Sequence, residues 1–253
     1  MIKFERIVTP STEQWASAIM GMRNPLNSWD KSDTVFCYKY RNCNGCPYEA
    51  AATCPLDTLD FEIGPNDWKL MMKLRNAGSD HRKFMRMLPV MVTITAPLYW
   101  WKEFDTYKIA TVANSCSTMH TIHEKEFTWD DFSADKLLSD RDPMRDPMTV
   151  PMVSHPMAPL CALSSYDIFQ LTIHALNANR LMYLETGDKI YWENMIQMLP
   201  TSYNQKRTVM MNYEVLANIY HSRKNHKLKE WHFLCDWAAN LPYGELITGK
   251  EGE

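Results

Sequence analysis

The 253 residues carry a formal net charge of −3, with 45% hydrophobic and 23% charged residues, the proportions of a globular chain long enough to bury a real core. That balance excludes a nucleic-acid coat and a polybasic membrane binder, and no apolar run is long enough to span a bilayer as a helix. With 8 glycines against 18 methionines the chain holds no G-x-G-x-x-G or Walker pattern, which removes the Gly-rich phosphate loops.

Ile2–Ile7 reads as a short strand. Glu13–Met22 is apolar at helical spacing, with Ser11 or Thr12 as its N-cap. The N-terminus has no apolar signal core, so a cytoplasmic protein with mostly reduced cysteines is expected. Val35–Tyr40 reads as a further short strand. Cys37, Cys43, Cys46 and Cys54 follow in a dense cluster whose central C-x-x-C encloses the turn pair Asn44-Gly45. Thiolates at such spacing can hold zinc or an iron–sulfur cluster. The alternative is four reduced cysteines in a loop.

Asp67–Asn76 reads as a helix capped by Asn66 and stopped by Gly78. Leu88–Thr95 is the strongest strand pattern. Pro97 breaks it, and Leu98–Ala110 reads as a helix burying Trp100, Trp101 and Phe104. Thr111–Met119 is small and polar, as in a loop or helix start, and Thr128–Leu138 reads as an exposed acidic turn and helix. His120 and His123 beside Glu124 and Glu126 have the i, i+3 spacing of a shared helix face, but no third ligand at fixed spacing.

Arg141–Leu160 is proline- and methionine-rich and reads as an extended surface excursion. Ser164–Thr186 is a long helix ended by Gly187, and Asp188–Met198 a shorter one. Thr208–Ser222 and Lys227–Asn240 complete the series. Helices outnumber strands without βαβ alternation. The expected fold is therefore α+β, a mixed or antiparallel sheet packed with several long helices, in one domain spanning 1–253. The Cys-rich insertion at about 37–54 and the excursion at about 141–160 interrupt it.

The chemistry is expected around the helix after Pro200. Asn212 and Asn218 are six residues apart, about 120° around a helix at ~100° per residue, so they flank a groove. Buried amides need partners: backbone or water on one reading, a ligand with mixed donors and acceptors on the other. Arg223 near the helix end suits either the helix dipole or a fork gripping a carbonyl or phosphate.

Leu199-Pro200, Asn212, Asn218 and Arg223, followed by His226 and Trp231, fall at a spacing that resembles the C-terminal segment of flavin-dependent thymidylate synthases. His81, sixteen residues before Pro97, and the tryptophan-bearing helix after Ala96-Pro97 extend the resemblance. It covers roughly Asp67 to Trp231 apart from the proline-methionine excursion; the cysteine cluster lies outside it. The family signature R-H-R-x-x-S-x-N-E-x-S-x-R-Y is replaced by Thr106, Tyr107, Lys108, Thr111, Ala113-Asn114, Cys116 or Ser117, and Thr118 or Met119. A further family arginine is Ile196.

The resemblance implies reductive methylation of dUMP to dTMP, with FAD as cofactor and NADPH and methylenetetrahydrofolate as co-substrates, in a homotetramer. His81, Lys108, Asn114, Asn212 and Asn218 would then contact the flavin. Ser117 and Arg223 would contact the nucleotide, Arg223 serving as the catalytic contact to its base. Two phosphate-binding arginines of the family are absent, and Lys108, Lys206, Arg207 or Lys224 would have to substitute. The same pattern is compatible with another pyrimidine nucleotide as substrate, or with a non-catalytic binding protein of the same fold.

Overall fold

The computed structural model describes residues 2–36, 61–137 and 164–249. The cysteine cluster and the 141–160 excursion lie outside these residues.

The first helix, α1 (Thr12–Arg23), follows strand β1 (Lys3–Val8). Ser11 and Gln14 exchange the reciprocal hydrogen bonds of a capping box. Trp15, Ala18, Ile19 and Met22 recur at helical spacing, and all are buried. Strands β2 (Val35–Phe36) and β3 (Phe61–Glu62) form a separate antiparallel pair.

Helix α2 (Pro65–Asn76) begins two residues earlier than expected, with Gly64 rather than Asn66 at the N-cap. The cap comes from a remote carboxylate. Asp33 accepts from the backbone N–H of Asn66 at 2.9 Å and of Asp67 at 3.1 Å. A Cβ on Gly64 would overlap that carboxylate, so the position needs glycine.

Strand β4 (Pro89–Pro97) leads into helix α3 (Leu98–Phe104), which buries Trp100, Trp101 and Phe104. This helix is six residues shorter than the sequence pattern predicts; Ala110 adopts a left-handed conformation that ends any continuation. Strand β5 (Val112–Ser115) replaces the expected loop. Its four residues are exposed, so its identity comes from backbone pairing and not from side-chain pattern. The acidic 128–137 stretch is a 3-10 turn (Trp129–Asp131), after which Phe132 and Ala134 are buried, against the expectation of an exposed helix.

Helix α4 (Ser165–Thr186) ends at Gly187 in the left-handed region, as the sequence predicts, with Ser164 at its N-cap; Asp188, read as the first residue of α5 (Lys189–Met198), is its N-cap. Strand β6 (Asn204–Asn212) corrects the sequence reading. The run from Thr208 is strand first, and helix α6 starts only at Tyr213 and ends at Arg223. Helices α7 (Lys229–Ala239) and α8 (Glu245–Thr248) close the fold.

The main sheet has the order β1-β4-β6-β5. Tyr213 donates its N–H to the Leu88 carbonyl, the Thr93 and Thr208 hydroxyls meet at 3.0 Å, and Leu98 donates its N–H to the Tyr203 carbonyl. Advancing along β4 while retreating along β6 is antiparallel pairing. The chain divides into two compact units, Met1–Lys3 with Ile94–Thr106 and Ser115–Arg207, and Phe4–Thr93 with Tyr107–Asn114 and Thr208–Glu253.

In the second unit, Trp15 is enclosed by the rings of Phe61, Tyr213 and Tyr243 at 5.2–5.5 Å. A buried ion pair joins Arg23 to Asp67 at 2.6 Å. In the first, Leu176 and Met195 from α4 and α5 pack with Phe127 and Phe132. Among the described residues no helix is long and apolar enough to cross a membrane.

Candidate functional site

Six of the seven residues singled out for cofactor or nucleotide contact belong to the second unit: His81, Lys108, Asn114, Asn212, Asn218 and Arg223; Ser117 belongs to the first. Arg223 and Asn218 have built surroundings, Asn212 caps a helix, and the others lie on exposed segments.

The Arg223 guanidinium ends α6. Its Nε donates to the Tyr107 hydroxyl at 2.9 Å. Its Cζ lies 4.7 Å from the Trp231 ring centroid and 5.7 Å from that of Tyr107. The aromatic faces attract the planar cation and fix its orientation. Tyr107 and Arg223 are 116 positions apart, so the contact is made by the fold and not by local spacing.

Asn212 is not on the helix but at its N-cap, 6% exposed, accepting from the Val215 N–H at 3.0 Å through Oδ1. This corrects the picture of two asparagines along one helix. Asn218 lies on the exposed face of α6 and accepts from Arg82 Nη2 at 2.8 Å. Arg82 also contacts Glu214 at 3.3 Å, and the same carboxylate pairs with Arg86.

Asn218 and Arg82 line a cavity of about 510 Å³, together with Arg75, Asn76, Gly78, Ala217, His221 and Ser222. Burial, and next the nearby Arg82 charge, push the Arg75 guanidinium below its ordinary value. His81 is exposed in the turn that leads into Arg82, its N–H bonded to the Gly78 carbonyl.

Lys108 is exposed, and Asn114 is exposed on β5. Ser117 Oγ accepts from the His120 N–H at 2.9 Å. Arg207 is engaged internally. It pairs with Asp105 at 2.7 Å, donates to Gln205 and lies 4.3 Å over the Trp101 ring. The Lys224 ammonium sits 5.8 Å from the Tyr220 ring.

His120 and His123 lie in irregular structure and not on a helix face. Among the described residues no group of three His, Cys, Asp or Glu is arranged to hold a metal. The proposed ligands Cys37, Cys43, Cys46 and Cys54 fall outside them.

Arg75, Asn76 and His221 were not singled out by the sequence. Arg82 and Asn218 are 136 positions apart, so no local spacing could join them.

No protein-family profile and no curated protein sequence matches the chain. Solved structures do. Thymidylate synthase X (ThyX) from Helicobacter pylori, solved with FAD and dUMP, superposes with a TM-score of 0.57 at 15% identity, over 98% of this chain and 96% of that one. The UMP/dUMP methylase PolB from Streptomyces cacaoi, bound with 5-Br UMP, gives a TM-score of 0.55 at 13% identity over 98% and 94%. The chain thus has the α+β architecture of these proteins over nearly its whole length, at an identity that establishes fold.

Proposed function

We propose that the protein is a flavin-dependent enzyme that methylates a pyrimidine nucleotide, converting dUMP to dTMP with methylenetetrahydrofolate as carbon donor and NADPH as reductant. The observation that carries this reading is Arg223, a guanidinium held edge-on by the Tyr107 hydroxyl and face-on by Trp231. Such a cation offers a fixed fork to a base carbonyl. The end-to-end likeness in fold to proteins solved with dUMP or 5-Br UMP supports the choice of ligand.

The residues present fit a flavin. Asn218 and Arg82 line a cavity with an amide and a guanidinium, the groups that suit a pyrimidine edge or a pyrophosphate. FAD, when bound, supplies the hydride that completes the methyl group. His81, Asn218, Lys108 and Asn114 would hold it. Asn212 would contribute through Nδ2, because its Oδ1 caps α6. Arg223 would orient the base, and Ser117 would meet the nucleotide phosphate.

Assembly into a homotetramer is part of the reading. Leu171, Leu181 and Leu184 on α4 are each more than half exposed, which supports a protein partner on that helix. Light scattering on the purified protein reads the assembly directly.

The experiment for the activity is a visible absorption spectrum of freshly purified protein, followed by turnover with dUMP, methylenetetrahydrofolate, FAD and NADPH read by mass spectrometry. A flavin spectrum and a product heavier by one methyl group are expected. A colourless protein that takes up no FAD would leave the non-catalytic reading. Elemental analysis of the same sample tests zinc or iron at the cysteine cluster.

A second reading has its own support. The likeness to a UMP/dUMP methylase is nearly as high as that to thymidylate synthase X, and the family's R-H-R triplet is Thr106-Tyr107-Lys108 here. UMP belongs in the same assay, and faster turnover of UMP than of dUMP would favour it.

A further inference from the structure

We infer that the cavity between the end of α2 and the outer face of α6 is an anion subsite that takes the phosphate or pyrophosphate group of a nucleotide, with Arg75, Arg82, Asn76, Asn218, His221 and Ser222 as its walls. The proposal shares Asn218 and Arg82 with the nucleotide reading above and rests on it for the class of ligand, and inorganic pyrophosphate tests the cavity apart from flavin uptake.

The wall chemistry is one-sided. Two guanidinium groups line the cavity, and no carboxylate does among the described residues. Both asparagines have given their acceptor oxygens away. Asn218 Oδ1 accepts from Arg82 at 2.8 Å, and Asn76 Oδ1 accepts from Arg75 at 3.1 Å. What each amide has left to offer a ligand is its Nδ2 donor. Ser222 adds a hydroxyl and His221 an imidazole. A wall rich in donors and positive charge matches phosphate oxygens, which only accept.

The charge is also held in place. Arg75 donates to the Leu246 carbonyl at 3.1 Å and to the Ile247 carbonyl at 3.0 Å, and makes no ion pair among the described residues. Arg82 shares its one carboxylate, Glu214, with Arg86. Of the two guanidinium groups that line the cavity, one therefore has no carboxylate partner among the described residues and the other shares its own. Both guanidinium groups face the same cavity, and an anion that enters between them offsets their repulsion.

Titration of the full-length protein with inorganic pyrophosphate by calorimetry tests the site. Saturable binding that weakens with salt is expected. Asn218→Asp places a carboxylate beside Arg82 on an exposed helix face, where an added ion pair lets the fold persist. It should weaken pyrophosphate binding by about tenfold or more through like-charge repulsion and loss of a donor. His221→Glu, also exposed, should act in the same direction, with thermal unfolding as the control for both. Competition then separates the sources. FAD displacing pyrophosphate where riboflavin does not identifies a dinucleotide, and dUMP displacing it where deoxyuridine does not identifies a monophosphate. Absence of saturable binding, unchanged affinity in both variants, or displacement by neither nucleotide overturns the proposal.

Discussion

The Tyr107 hydroxyl accepts a hydrogen bond from Arg223 Nε at 2.9 Å across 116 residues of sequence. With the Trp231 ring 4.7 Å from the Arg223 Cζ, the hydroxyl fixes the guanidinium from its edge while the indole holds its face. If Arg223 reads the base, Tyr107 acts through it as a positioning residue.

Tyr107→Phe keeps the ring against Trp231 and removes the hydrogen bond. A bond to a charged group is worth roughly 1.5–3 kcal/mol, so nucleotide affinity should fall by about tenfold or somewhat more. FAD uptake and thermal stability should hardly change. Calorimetry with dUMP and UMP reads the affinity, and equal binding by variant and parent would remove Tyr107 from the site.

Asn212 caps α6 and is also proposed to meet the flavin, and two substitutions separate the roles. Asn212→Ala should cost about 1 kcal/mol of stability through the lost cap, whereas Asn212→Asp keeps a capping oxygen and adds a charge favoured at a helix N-terminus. Urea unfolding should place Asp near the parent and Ala below it. Both lose the Nδ2 donor, so both should weaken FAD binding.

The Arg23–Asp67 pair makes stability depend on acid pH. Burial by itself would raise the Asp67 carboxyl. Hydrogen bonds from Thr34, Ser32 and Arg23, with the Arg23 charge, outweigh it and hold the group below the usual carboxylate range. The folded protein therefore binds this proton less readily than the unfolded chain. The stabilisation is complete above the unfolded value of about 3.9 and is lost as pH falls through the depressed folded value. Asp67→Asn should remove that part of the acid slope. It should also destabilise by about 3–5 kcal/mol, because Arg23 stays buried without its counter-charge. Unfolding followed between pH 7 and pH 3, values chosen about the carboxylate range, checks both outcomes.

Cys235 and Cys116 should differ in reactivity. Burial, aided by the Asp236 charge, pushes the Cys235 thiol up to about 11, whereas Cys116 is exposed. Thiolate is the reactive form, so a short alkylation pulse on native protein should label Cys116 and leave Cys235 until denaturant is added. Peptide mass mapping distinguishes them, and early labelling of Cys235 would contradict the packing around α7.

Several elements were legible because their signals are local. Ser11 with Gln14, Ser164 with Asp167, and Gly187 fix helix ends through bonds only a few residues long, and a chain reader sees both partners at once. Strand β4 was legible because it is buried along most of its length and reads as an apolar run.

Strand β6 was not. Its inward positions are Gln205, Arg207, Val209 and Met211, so polar side chains hide a period of two. They are tolerated there because Gln205 reaches the Cys116 carbonyl and Arg207 reaches Asp105 and Gln205. For the same reason Asn212 read as a residue on a helix, when the strand makes it a cap. Strand β5 has no pattern of its own to read.

By itself, then, the sequence determined the α+β class, most helix boundaries, and the spacing of Asn212, Asn218 and Arg223 that resembles flavin-dependent thymidylate synthases. Only the tertiary structure decided what those residues do. It committed Asn212 to a helix end, held Arg223 with Tyr107 and Trp231, and set Arg75, Arg82 and Asn218 around one cavity. The physical reason is range. Caps and breakers act within a turn of chain, whereas an aromatic clamp or a cationic wall exists only where side chains more than a hundred residues apart are brought within hydrogen-bond reach.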